Sequence, residues 1–93
     1  MINPTVKDYI NDLKHDNECM FAMNRAIKEK CKEYEKELLQ RLQHKYSKDN
    51  SKRMFELMIT IHAMYGTCRD NLILIKKNLE KIRGLKNGTI KEI

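Results

Sequence analysis

His15 and Cys19 stand four residues apart, one turn of a helix, where an imidazole and a thiolate could hand two ligands to a zinc ion. Tetrahedral coordination needs two more, and His44, His62, Cys31 and Cys68 offer no matching local spacing. The same pair could act as base and nucleophile. That chemistry needs a third group to orient the base and donors for an oxyanion, and the neighbouring sequence supplies neither. Glycine-rich phosphate loops are absent. The sequence predicts no catalytic residue, no metal site and no cofactor, so the expectation is a protein that is not an enzyme.

Residues suited to recognition are more plentiful. Arg69, Lys76 and Arg83 repeat at heptad spacing, with Lys77, Lys81 and Lys86 close by. Of the formal charge of +6, residues 1–50 supply +1 (10 basic against 9 acidic) and residues 51–93 supply +5 (9 against 4). An acidic or phosphate-bearing partner would prefer the second half, and nucleic acid is one such partner. Binding of that kind would be non-specific and salt-dependent, since no reading helix, zinc finger or aromatic platform accompanies the charge. Cations near a helix C-terminus also complement its dipole without any ligand. Met20, Met23, Met54, Met58 and Met64 form a second group. Methionine at helical spacing usually fills a core, but it can also make an adaptable binding surface.

The elements that carry these residues are helical. The chain has 93 residues, 34% charged and 41% hydrophobic, with one proline and three glycines. That is the composition of one small soluble domain. No apolar run approaches the roughly 20 residues that cross a bilayer, and the amino end lacks the order of a secretory signal. Three widely spaced cysteines make no disulfide framework, and Cys31 and Cys68 fall on apolar lines as small core residues. A cytoplasmic location is expected. The abundance of Lys, Asn and Ile suits an AT-rich coding sequence, such as that of a low-GC bacterium, its phage or a mobile element.

Asn3-Pro4 is a good helix start. Apolar residues then recur at Val6, Ile10, Leu13, Met20, Ile27, Cys31, Tyr34, Leu38, Leu42 and Tyr46. Ser47 to Ser51 is the strong internal turn signal, with Asp49, Asn50 or Ser51 capping the second helix. Gly84 suits a stop. The spacing predicts a helix over about 4–46, a turn at 47–51, a helix over about 52–84 and an irregular tail at 85–93. A break near Asp16, giving a three-helix bundle, is the alternative to a long hairpin.

On the second arm, Met54, Met58, Ile61, Tyr65, Cys68, Leu72, Ile75, Leu79 and Ile82 alternate steps of four and three without a polar interruption. This is the signature of a helix packed lengthwise on another, and the line is predicted to be the seam. Leu57 and Met64 flank it on one side, Ile59 and Ile73 on the other. The resulting stripe is wider than one antiparallel neighbour covers. The surplus predicts a second copy and a four-helix bundle, or another protein, docked on Phe55, Leu57, Met58, Ile59, Ala63, Met64, Gly66 and Ile73. Ala63, Gly66 and Thr67 form a small-residue notch suited to close approach of a helix or a bulky side chain such as Phe21.

Asparagines give the register. Asn17 and Asn24 lie one heptad apart on the first arm, and Asn71 and Asn78 on the second. Pairing 17 with 78 and 24 with 71 centres both pairs between Ser47 and Lys48, at the edge of the turn. Facing amides at two levels would fix the alignment. The functional expectation is a small protein-binding regulator, adaptor or inhibitor, with nucleic-acid binding through the basic end of the second arm as the alternative.

Overall fold

A computed structural model of the chain describes residues 4–44 and 47–88. Two long helices account for nearly all of them: α1, Pro4–Leu42, and α2, Lys48–Lys86. No strand occurs among the described residues. The contacts divide the chain into two compact units, residues 1–23 with 70–93 and residues 24–69.

α1 is continuous through His15-Asp16-Asn17-Glu18, so the three-helix alternative is set aside. Nothing in that stretch removes a backbone donor, and Asn17 is buried rather than turned back onto its own backbone as a new cap. The buried and half-buried line on α1 runs Val6, Ile10, Leu13, Asn17, Met20, Asn24, Ile27, Cys31, Tyr34, Leu38 and Arg41, alternating four and three throughout. Leu42, predicted inside, is exposed, because Arg41 takes the seam position at the end of the helix. Tyr46 and Asn3 lie outside the described residues.

The predicted turn is displaced. Lys48 to Ser51 are helical, and the cap is Ser47, whose Oγ accepts a 3.0 Å hydrogen bond from the backbone N–H of Asn50. A hydroxyl three residues ahead of a free amide is the usual N-cap geometry, which none of Asp49, Asn50 or Ser51 adopts here. The far end runs two residues past Gly84, to Lys86. Gly88 adopts a φ of 73° and its N–H bonds to the Leu85 carbonyl at 3.4 Å. A residue with a Cβ is strained in that left-handed conformation, so the stop uses this glycine.

In the first unit, Ile10, Leu13, Ile82 and Leu85 form the core, with Val6 and Tyr9 packed against it. Asn78 Nδ2 donates to Asn17 Oδ1 at 2.9 Å, and Asn71 Nδ2 to Met23 Sδ at 3.4 Å, so the two segments run antiparallel. The second unit is antiparallel too. Asn24 Nδ2 donates to the Cys68 carbonyl at 3.2 Å, and Asn50 Nδ2 to the Arg41 carbonyl at 3.1 Å. Leu57 and Cys31 are the largest fully buried side chains described.

The seam of α2 differs from the predicted one by a single residue at every second step. Its buried and half-buried line reads Met54, Leu57, Ile61, Met64, Cys68, Asn71, Ile75, Asn78, Ile82 and Leu85. Five positions of the predicted line hold: Met54, Ile61, Cys68, Ile75 and Ile82. Met58, Tyr65, Leu72 and Leu79 instead stand about half exposed. Neighbouring residues on a helix point about 100° apart, so these four lie beside the contact line and not in it.

Candidate functional site

Because the seam is shifted, the apolar surplus of α2 lies in the open. In the second unit Phe55 is 63% exposed, Met58 56% and Ile59 53%, with Tyr65 beside them at 48%. Four large apolar side chains on about three turns form the kind of contiguous patch that folded monomers avoid. Ala63 is also exposed and Gly66 half-buried. Leu57 and Met64, predicted on this surface, point into the seam, Leu57 with 1% of its surface accessible. Ile73, in the first unit, is exposed together with Leu72 and Leu79.

The small-residue notch is open within the chain. A Cβ placed on Gly66 would meet nothing within 4 Å. Thr60 and Thr67, one heptad apart along one side of the Ile59 and Gly66 line, keep their hydroxyls off the patch. Thr60 Oγ1 donates to the Glu56 carbonyl at 2.8 Å and Thr67 Oγ1 to the Ala63 carbonyl at 3.2 Å. These bonds leave both hydroxyls satisfied without solvent, which lowers the cost of drying the surface.

Polar groups of the second unit gather elsewhere. Glu37 Oε2 accepts from Arg41 Nε at 2.7 Å and Arg53 Nε at 2.8 Å, while Oε1 accepts from Arg53 Nη2 at 3.0 Å. The hydrogen bonds from Arg53, then those from Arg41, hold the Glu37 carboxyl down at about 2. Asn50 completes the clasp by accepting from Arg41 Nη1 at 3.1 Å. The Tyr65 hydroxyl donates to the Glu35 carboxylate, and this bond pushes the phenol pKa up. On α1, Lys32 pairs with Glu29 at 3.7 Å and Lys30 with Glu33 at 3.1 Å, a solvated charged face.

The candidate chemistry is thin. Cys19 Sγ lies 3.6 Å from His15 Nε2, both at the surface, beside an open cleft of about 410 Å³ lined by Asp16, Cys19, Met20, Leu74 and Asn78. No group of three His, Cys, Asp or Glu side chains able to hold a metal ion occurs among the described residues. All three cysteines are free, and burial pushes the Cys31 thiol up. The basic residues Arg69, Lys76, Lys77, Lys81, Arg83 and Lys86 are exposed, and none forms an ion pair among the described residues. No helix described is long and apolar enough to cross a membrane.

No family model, characterised protein or solved structure matches the chain. The candidate site therefore rests on its own geometry.

Proposed function

We propose that this chain is a small non-enzymatic protein-binding module, of the regulator, adaptor or inhibitor kind. It works through the exposed apolar face of α2 in the second unit. The observation that carries this reading is the side-by-side exposure of Phe55, Met58, Ile59 and Tyr65 while Leu57, on the same two turns, is buried. A partner presenting an apolar helix or groove would bury the four side chains together. Each is already about half covered, so burying the remainder contributes about 1 kcal/mol per side chain, part of what a complex needs against the association entropy. Three unpaired thiols suit a reducing, cytoplasmic setting.

The test is retention from lysate on the immobilised chain, with nuclease and at raised salt, against the variant Ile59→Lys/Tyr65→Lys. Protein retained by the parent and lost by the variant supports the reading. Equal retention by both overturns it. A second reading, nucleic-acid binding, is favoured by the exposed basic cluster Lys76, Lys77, Lys81, Arg83 and Lys86 in the first unit. It predicts retention that nuclease abolishes and that falls steeply between about 50 and 200 mM salt.

A further inference from the structure

His15 Nε2 and Cys19 Sγ sit 3.6 Å apart on the surface of α1. That separation has a meaning besides a weak hydrogen bond. Around a tetrahedral zinc ion, with Zn–S of about 2.3 Å and Zn–N of about 2.0–2.1 Å, a sulfur and a nitrogen ligand stand about 3.6 Å from each other. The two donors already span one edge of such a tetrahedron.

The helix holds the pair in place. Leu13 and Asn17 are buried in the seam, which fixes the rotation of α1. His15 and Cys19 follow each of them by two residues, about 200° round the helix, and both are exposed. The surroundings are acidic although the chain as a whole is basic. Over residues 8–19 the exposed charges are Asp8, Asp12, Asp16 and Glu18 against Lys14, in a protein of formal charge +6. A negative surface concentrates cations at the pair. It also sets two copies of this surface against each other unless a cation stands between them.

One chain supplies only two ligands, since no group of three His, Cys, Asp or Glu able to hold a metal ion occurs among the described residues. Zinc takes four in its closed structural sites, two cysteines with two histidines among them. We propose that His15 and Cys19 are half of a zinc site, closed by the same two residues of a second copy. A two-fold axis through the ion relates the pairs, so each copy contributes one nitrogen and one sulfur. Cys19 gives up its thiol proton to solvent as the metal binds, and the neutral imidazole donates its Nε2 lone pair. The filled site, a divalent ion with two thiolates, carries no net charge. Four protein ligands leave no position for water or substrate, so the ion joins two chains and does no catalysis. The pair lies in the first unit and does not involve the apolar face of the second, so it stands or falls apart from the protein-binding reading.

Cobalt(II) titrated into the full chain, kept reduced with a phosphine and followed by absorption, tests the site, with sedimentation equilibrium before and after zinc. Thiolate-to-cobalt charge transfer and the strong visible bands of a tetrahedral ion are expected, saturating at half an equivalent per chain. Zinc should displace the cobalt and double the sedimenting mass, and a chelator should reverse the change. Cys19→Ser is expected to abolish the charge-transfer band, and His15→Ala to weaken metal binding by about tenfold or more. Both side chains are exposed, so circular dichroism should be the same for parent and variants. No band in the parent at millimolar cobalt overturns the proposal. A band that survives Cys19→Ser does the same, because it assigns the metal to another thiol. Saturation at one equivalent with no change of mass overturns the sharing between copies.

Discussion

Asn78 donates a hydrogen bond of 2.9 Å to Asn17 across the first unit, and Asn17 is buried to 5% exposure. Both occupy seam positions that the 4-3 spacing otherwise gives to apolar side chains. An amide pair there contributes little net energy, yet it penalises any other alignment, because a shifted register leaves each amide against a hydrocarbon.

Replacing one partner alone is therefore expected to cost more than replacing both. Asn17→Leu strands the Asn78 amide and should lose about 1–3 kcal/mol. Asn78→Leu strands Asn17 by the same amount. In the double variant two leucines face each other, and its stability should return toward the parent, a non-additive cycle. Urea unfolding of the four proteins measures this. Losses that simply sum would mean that the two amides do not depend on each other.

Glu37 makes stability fall in acid. Its carboxyl titrates at about 2 in the folded chain, against an ordinary 4.5. A depressed carboxylate stabilises the fold above the unfolded pKa, and that contribution is lost as pH falls through the folded one. The window is thus about 4.5 down to 2. Glu37→Gln should lower Tm relative to the parent at pH 6, with the gap closing as pH approaches 2. An unchanging gap across that range would show that the clasp on Arg41 and Arg53 holds by shape rather than charge. The groups are partly exposed, so added salt should shrink the gap as well.

Two competing lines of residues explain why the seam was misplaced from sequence. The lines through Met58, Tyr65, Leu72 and Leu79 and through Leu57, Met64, Asn71 and Asn78 share Met54, Ile61, Cys68, Ile75 and Ile82 and differ by one residue elsewhere. Hydrophobicity favours the first line, since the second spends two positions on asparagine. Burial takes the second, because its amides have partners on α1 and so do not need water. The continuity of α1, the antiparallel order and the Asn17–Asn78 level were legible in advance. The turn was not, because Ser47, Asp49, Asn50 and Ser51 are all good caps and nothing local ranks them. Of the exposed apolar face in the second unit, Phe55, Met58, Ile59, Ala63 and Gly66 were named; Leu57 and Met64 were placed there through the seam error.

The short connection depends on two side chains. Ser47 caps α2, and Asn50 ties the first turn of α2 to the last turn of α1 through the Arg41 carbonyl. Ser47→Ala is expected to cost about 1 kcal/mol. Asn50→Ala frees the Arg41 carbonyl and removes an acceptor from its guanidinium, for a loss of similar size. Hydrogen exchange should show the change first in the amides of residues 49–52. Protection there equal to the parent's would mean that the backbone holds the turn without either side chain.

Adjacent residues Leu57 and Met58 decide between the two seams. Leu57 is 1% exposed and Met58 56%. Truncating a fully buried leucine removes its transfer energy and leaves a cavity, so Leu57→Ala should lose about 2–5 kcal/mol in urea unfolding. Met58→Ala, measured at dilution where any self-association is absent, should stay within about 0.5 kcal/mol of the parent. Were the uninterrupted apolar line the seam, the ranking would invert. The two variants differ from each other by one position on one helix, so propensity and unfolded-state effects nearly cancel, and the sign of the difference reports which face of α2 meets α1.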